Sequence, residues 1–475
     1  MKKQFTSDVV IGLEIHVELN TKTKLFCACA TSGSEQPNTR TCPICLGHPG
    51  TKPVVNKEAI RKAIMLGLAL NCDIHNELVF SRKSYFYPDL AKNFQITQYE
   101  EPLCRKGSMI LQKDSEKKIG ITRIHVEEDP AALVHPSTIQ KSSYVLVDYN
   151  RSGNPLCEIV TEPDITSPEE ARLFMKKLIT ILEYLDIFDT EEGIIKADAN
   201  ISIKESGYVR SEVKNITGFK EIERALQYEI TRQKEAVKQG ETLIPDTRNW
   251  DPEAGISQRL RTKESDVDYG YIIEPDLVVC DIDAEMVQTI RENLPELADN
   301  KLERFQKEHG IAEDTAEVLS KDKALAEMYE IVSKEVNPEL AAKWVRRELQ
   351  RVLNYNKKKL SEVALKSEHL ISLLKLIDTK KITEKVGQQI LNTLVLEPFD
   401  VTEYVTKNNL TIVEDDSLTQ KLCEEVCSEQ EKAVVQAKNG EEKPLNFLIG
   451  QVMRKSQGRT NPNQVKEIMK KVLGL

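Results

Sequence analysis

Residues 8–19 read Asp8-Val9-Val10-Ile11-Gly12-Leu13-Glu14-Ile15-His16-Val17-Glu18-Leu19, and this stretch decides the fold class. Strict alternation puts Val9, Ile11, Leu13, Ile15, Val17 and Leu19 on one face of a strand and Glu14, His16 and Glu18 on the other. One side is made for a core; the other gathers two carboxylates and an imidazole. Such a face suits a divalent cation, because hard ions such as Mg²⁺ take oxygen ligands.

The texture recurs. Residues 124–129 (IHVEED) place His125 and Glu127 together, 196–203 place Asp198, Asn200 and Ser202 together, and 209–214 place Arg210, Glu212 and Lys214 together. If these strands are neighbours in an antiparallel sheet, their polar sides form one acidic floor with cations at its edge. A half-exposed sheet also alternates, so a solvated face is the competing reading of any single strand. Solvated faces mix Thr, Lys, Ser and Gln, whereas oxygen ligands dominate here.

The chain has 475 residues, enough for roughly two to four domains. Residues 1 to about 290 read as strands interrupted by helices, the clearest over 167–187, where Ser167, Pro168 and Glu170 make an N-terminal cap and Phe174, Leu178, Ile181 and Leu185 form the apolar stripe. A second helix is expected over 222–238. Beyond Pro295 only helices are expected: 302–308, 314–319, 323–336, 338–355 and 368–376. A gap at 406–416 precedes a last helical unit over 417–475, with an exposed joint at 438–442 around Asn439-Gly440.

Net charge is −10, which argues against bulk nucleic-acid binding. From Lys443 to Leu475, however, seven cations (Lys443, Arg454, Lys455, Arg459, Lys466, Lys470, Lys471) face one acid, Glu467, so this end is locally +6. A basic end on an acidic chain points to a docked polyanion, or to a solvated helix face. Lys2 and Lys3 lead into polar residues, and no apolar run is long enough for a membrane. A cytoplasmic location without membrane contact is expected.

Of ten cysteines, Cys27-x-Cys29 and Cys42-x-x-Cys45 have knuckle-like spacing for tetrahedral Zn²⁺. Four thiolates fill a closed structural site. Cys72, Cys104, Cys157 and Cys280 are expected to be packed, and Cys423 and Cys427 to share a helix's core face. No P-loop, dinucleotide fingerprint or G-x-S-x-G elbow is present. Any nucleotide would need metals on the floor and side-chain cations, for which Lys83, Lys92 and Arg123 are candidates. Residues 81–99 (SRKSYFYPDLAKNFQITQY) interleave aromatics with cations, which suits base stacking over neutralised phosphates or a loop packed on its own rings.

Taken together, 11–19 (IGLEIHVEL), 81–90 (SRKSYFYPDL), 125–129 (HVEED), 148–164 (DYNRSGNPLCEIVTEPD), 198–201 (DANI), 212–215 (EVKN), 224–233 (RALQYEITRQ), 274–277 (EPDL) and 447–462 (FLIGQVMRKSQGRTNP) amount to a signature. The chain resembles the B subunits of the tRNA-dependent amidotransferases (GatB), nearly end to end. The resemblance implies an α+β chain: a mainly antiparallel cradle domain over 1–293 with a zinc knuckle at 27–45, a helical domain over 294–405, a linker at 406–416 and a small YqeY-like tail over 417–475.

It also implies a reaction. ATP would phosphorylate the side-chain carboxylate of glutamate or aspartate misacylated onto tRNA for glutamine or asparagine. Ammonia from a partner glutaminase, the A subunit, would then displace phosphate, with a C subunit completing a heterotrimer. Carried over by position, Glu14, His16, Glu128 and Glu158 are the Mg²⁺ and catalytic set, with Glu127, Asp198 and Glu212 as further candidates. Lys83, Tyr85 and Lys92 fall on the nucleotide or acceptor-end region, and Lys83 joins the catalytic group. Cys27, Cys29, Cys42 and Cys45 match a zinc knuckle that some members lack, and Arg454, Lys455 and Arg459 lie in the part that grips tRNA.

Three departures stand out. Lys196 replaces a family arginine, keeping a cation but losing a bidentate fork. Gly270 replaces another outright, and Pro130-Ala131-Ala132 replace Ala-Gly-Lys after Asp129. These look like a distinct, archaeal-type branch. The sister E subunits would carry a large insert, but residues 198–275 run with family spacing and disfavour that alternative, while Glu14, His16, Glu128 and Glu158 together argue against a non-catalytic tRNA scaffold.

Overall fold

The structure is a computed structural model that describes residues 5–475 except 113–115, 137–141, 190–192, 194, 263–268, 413–415, 440 and 457. The expected joint at Asn439-Gly440 and part of the expected linker therefore fall outside the described residues. Two compact units divide the chain, Met1–Pro295 and Glu296–Leu475.

The first unit is built on a nine-stranded sheet. From edge to edge its strands are Ile256–Thr262, Asp246–Asp251, Ser211–Thr217, Ile195–Ile203, Val9–Glu18, Pro155–Thr161, Lys117–Glu128, Cys104–Gln112 and Asp73–Ile74. Every pairing is antiparallel except Ser211–Thr217 with Asp246–Asp251. Val9–Glu18 lies at the centre, between strands that begin far along the chain. Its inward residues Ile11, Leu13, Ile15 and Val17 are at most 1% exposed.

Pro168–Leu185 and Phe219–Lys238 cover the apolar face, packing on each other and on the sheet. Ser167 caps the first by accepting from the Glu170 backbone N–H, and Pro168 sits at its first turn, as the cap signature requires. A third helix, Lys57–Ala69, is buried over most of its surface. With helices on one side, the charged side of the sheet is left open to chemistry.

The second unit is helical among its described residues. Residues 338–355 form one continuous helical run, but Trp344–Leu349 is a π-helical turn between two α segments. Val401–Lys407 is helical, and the Ile412 N–H bonds to the Lys381 carbonyl, so the chain after the helix packs back on its own unit. The tail helices from Asp416 to Leu473 close around Cys423, Val426, Leu448, Val452, Val465 and Met469. Among the described residues no helix is long and apolar enough to cross a membrane.

Cys72, Cys104, Cys157 and Cys423 are buried as expected, and Cys427 is half-buried with its Sγ 3.5 Å from Met469 Sδ. Cys280 is not packed. It lies in a two-residue strand paired with Glu77–Leu78 at the surface, too short to draw its side chain inside.

Candidate functional site

Strand register alone assembles the centre of the floor. His16 lies opposite Lys196 on one side and Glu158 on the other, and Glu158 lies opposite His125. Four side chains from four adjacent strands thus form one lateral row. One step along, Glu14 is opposite Asp198. His16 Nε2 is 3.5 Å from Glu158, 3.7 Å from Glu127 and 4.0 Å from Glu14. His125 Nε2 is 3.5 Å from Glu158 and 3.6 Å from Glu127.

The charges are strongly coupled. Glu158 pushes the Glu14 carboxyl up to about 7, helped by burial. Burial would lower the His16 imidazole, but hydrogen bonding to Glu158 and the charges of Glu158, Glu127 and Glu14 lift it to about 10. Burial opposes ionisation of Glu158 and Glu127 too, yet the imidazoles hold both carboxyls below the usual carboxylate range, with Arg123 assisting at Glu158. A protonated imidazole thus balances carboxylates that would otherwise repel one another.

This donor set fits a divalent cation. Carboxylate and imidazole atoms of Glu14, His16 and Glu158 lie within 4.8 Å of one another, as do those of His125, Glu127 and Glu158. Six-coordinate Mg²⁺ needs neighbouring ligand atoms about 3.0 Å apart and opposite ones about 4.2 Å apart. The observed 3.5–4.0 Å around His16 lies between these two spacings, so side-chain shifts of about half an ångström would be needed to seat the ion. Glu14 and Glu158, whose repulsion costs free energy in the protein alone, are the pair a cation would relieve.

Glu128 is placed elsewhere. Alternation turns it away from Glu127, and its carboxylate takes Lys92 Nζ at 2.5 and 2.7 Å and the Ile96 N–H at 2.8 Å. Asp198 and Glu212 form a neighbouring cluster around Lys214, at 2.8 and 3.7 Å. Asp198 also accepts from the Asn215 N–H at 3.1 Å, and Glu212 from Thr247 at 3.1 Å. Arg123 reaches Glu158 at 3.6 Å. His125 and Lys214, outside the metal set that the resemblance implies, share the floor with it; the signal was their own alternation with Glu127 and Glu212.

Lys83 lies beside the floor on a three-stranded sheet of Gly270–Ile273, Ser81–Ser84 and Phe94–Thr97, and Tyr85 directly follows its strand. Phe86 and Tyr87 are 87% and 51% exposed, so the segment does not pack as a closed loop. Arg82 is gripped by Glu274 at 2.6 and 2.9 Å and by Asp276 at 3.1 Å, which explains the EPD motif. Of the departures, Lys196 sits on the floor beside His16. Position 270 is paired with Ser84 and projects to the face opposite Lys83. After Asp129, Arg151 binds that carboxylate at 3.0 Å and the Pro130 and Ala131 carbonyls at 3.1 and 3.3 Å.

The four thiols of Cys27, Cys29, Cys42 and Cys45 also converge within 4.8 Å. Cys42 and Cys45 Sγ are 3.9 Å apart, against about 3.8 Å for the edge of a tetrahedron with Zn–S bonds of about 2.3 Å. Hydrogen bonding from Cys27 and the nearby Lys24 ammonium lower the Cys45 thiol to about 5. Lys24 is fully buried, with Nζ 3.7 Å from Cys45 Sγ and 3.2 Å from the Tyr149 carbonyl. The residues fit zinc. Gly47 closes the knuckle at φ +67°, where an added Cβ would lie 2.4 Å from Lys92 Cγ.

In the tail, Arg454 is exposed, Lys455 is held by Glu429 at 2.6 Å and Glu425 at 3.5 Å, and Arg459 bonds the Ser456 and Asn409 carbonyls. These three do not form one patch of unpaired cations.

A family model described as the GatB/GatE catalytic domain matches residues 9–288, the whole floor included, and a second, the GatB domain, matches 326–473. The class is therefore that of the GatB/GatE catalytic domains. Similar full-length relatives are named as the B subunit of aspartyl/glutamyl-tRNA(Asn/Gln) amidotransferase. That of Sulfolobus acidocaldarius is 45% identical over 98% of this chain and 100% of its own. Those of Methanospirillum hungatei (44%, 98% of each chain) and Thermodesulfovibrio yellowstonii (42%, 98% and 99%) are alike. The chain belongs to the family of B subunits of tRNA-dependent amidotransferases. These three identities lie within three percentage points and single out no branch.

Proposed function

We propose that this protein uses ATP to phosphorylate the side-chain carboxylate of glutamate or aspartate esterified to tRNA, and that ammonia then replaces the phosphate. The observation that carries this reading is the convergence of Glu14, His16 and Glu158 with His125 and Glu127 on one sheet face, in a chain whose relatives are named for aspartyl- and glutamyl-tRNA amidotransfer.

A carboxylate is a poor electrophile, and an acyl phosphate gives ammonia a good leaving group. Bringing an anionic side chain against ATP requires concentrated positive charge. Glu14, His16, Glu158, His125 and Glu127 would hold Mg²⁺, which when bound neutralises and orients phosphate oxygens. Arg123 and Lys214 flank the floor and Lys83 borders it, so each meets negative charge from a different side. Glu128 with Lys92, and Asp198 with Glu212, shape the walls.

Zn²⁺ bound by the four cysteines holds the knuckle. The relatives are each named as one component of an amidotransferase, which supports a multi-component enzyme. In this reading ammonia comes from a glutamine-hydrolysing A subunit, and a C subunit completes the assembly in the cytoplasm. The basic tail takes the tRNA body.

The test is phosphate release by the chain assembled with its A and C partners, with and without Glu-tRNA, for wild type and Glu14→Ala. Release that needs the misacylated tRNA and collapses in the mutant supports the reading. Unchanged release in Glu14→Ala overturns the metal assignment, and none in wild type favours a tRNA-binding scaffold.

A further inference from the structure

The strand Ser211–Thr217 carries one residue too many for its neighbour. Its register against Ile195–Ile203 is regular from Ser211 opposite Ile201 to Val213 opposite Ala199, and resumes with Ile216 opposite Ala197. Lys214 and Asn215 therefore both stand against Asp198, as in a β-bulge. The sequence calls for it: Val213 and Ile216 are 0% and 1% exposed, and residues three apart cannot share a face of a regular strand. The extra residue lets both enter the core and leaves Lys214 and Asn215, consecutive in the chain, on the floor side.

Asn215 bears the strain of the bulge, with φ +63°. Asparagine tolerates this left-handed region better than most residues, and glycine adopts it freely. The conformation frees the Asn215 N–H from the ladder, and it donates to Asp198 Oδ1 at 3.1 Å. Its Nδ2 donates to Asn249 Oδ1 at 2.6 Å, beside the point where the parallel ladder ends with Lys214 opposite Asn249. The other Asp198 oxygen takes Lys214 Nζ at 2.8 Å.

Both oxygens of Asp198 are thus committed, one to the strained backbone and one to the ammonium. The Lys214 side chain nevertheless stays 32% exposed, and Asp198 takes only one of its three donors. Its charge also reaches Glu14, whose carboxyl Glu158 and burial raise and Lys214 draws back down. A strained residue beside a candidate centre has a use when its strain fixes something. We propose that Asn215 is a positioning residue of the floor: its left-handed backbone pins Asp198 as the holder of Lys214, which presents its remaining donors to the phosphate chain of a nucleotide. This deepens the reading that the floor handles nucleotide phosphates, and concerns binding alone.

The test is calorimetric titration of the full chain with inorganic triphosphate and Mg²⁺. Lys214→Met should weaken binding about tenfold or more, because a charge-assisted contact is lost. Asn215→Ala should weaken it about fivefold, whereas Asn215→Gly, which keeps the left-handed backbone, should bind within about twofold of wild type. The double variant Lys214→Met/Asn215→Ala should bind no worse than Lys214→Met, since Asn215 acts through Lys214. Wild-type binding by Asn215→Ala, an equal loss in the Gly and Ala variants, losses that add in the double variant, or no triphosphate binding by wild type would each overturn the assignment. Should Asn215→Ala not fold, the other two single variants decide: binding lost in Asn215→Gly or unchanged in Lys214→Met overturns it. The titration needs neither tRNA nor partner subunits, so it can fail while tRNA-dependent phosphate release stands, and the reverse.

Discussion

His16 and Glu158 face each other across two antiparallel strands, Nε2 to Oε2 at 3.5 Å, and this contact sets the charge state of the floor. Glu158→Gln should lower the His16 pKa from its raised position, read by NMR of the ring in metal-free protein. The same change should weaken Mn²⁺ binding, used as a spectroscopic stand-in for Mg²⁺, by at least ~10-fold. An unshifted His16 titration would mean that Glu158 is not its main partner.

The knuckle should hold one zinc per chain, countable by elemental analysis. Cys42→Ser should lose it and cost the first unit about 3 kcal/mol, lowering Tm by roughly 6–12 °C. Gly47→Ala should destabilise by about 1–3 kcal/mol with zinc retained, since its backbone is left-handed and the new Cβ meets Lys92. Calorimetry alongside metal content separates the two.

Arg454 and Lys455 are adjacent in sequence but not equivalent. Both are exposed, but Lys455 is already shared between Glu425 and Glu429, whereas Arg454 makes no ion pair among the described residues. Arg454→Ala should therefore weaken tRNA binding and lower the salt slope by about one, and Lys455→Ala should do less. Filter binding over a salt series reads both; equal effects would contradict the pairing.

The helical unit carries its own pH signature. Burial opposes ionisation of Glu330, but Lys301 Nζ at 2.6 Å and Arg304 hold its carboxyl below the usual carboxylate range. A depressed folded-state pKa contributes stability above the unfolded value and loses it as pH falls through the folded one. Glu330→Gln should thus destabilise by about 1–2 kcal/mol at pH 7, with the difference from wild type shrinking below pH ~4.5. Urea midpoints at pH 7 and below pH ~4 test it.

The floor was legible in the sequence because a strand repeats every two residues, so Glu14 with His16 and His125 with Glu127 announce a shared face. Which strand lies beside which was not, since the central strand is flanked by Pro155–Thr161 and Ile195–Ile203, far along the chain. Alternation separates Glu127 from Glu128 but cannot say which faces the floor until His16 and Lys92 are placed. Lys57–Ala69 is hidden in the sequence because Ile60, Ala63, Ile64, Met65, Leu66 and Leu68 are all buried, leaving little polar stripe to reveal a period. The π turn at Trp344–Leu349 keeps an apolar pattern close to that of an α-helix, so its extra residue per turn is silent in sequence.

The lateral row Lys196, His16, Glu158 and His125 exists only through hydrogen-bond register. Adding or deleting one residue near the start of Val9–Glu18 would swing Glu14 and His16 into the core and Leu13 and Ile15 into water, without changing any side chain. Substitutions at this site can be graded, but a change in strand length cannot. Chain length can therefore change in the loops around this centre without disturbing it, whereas one residue more or fewer within Val9–Glu18 would dismantle it.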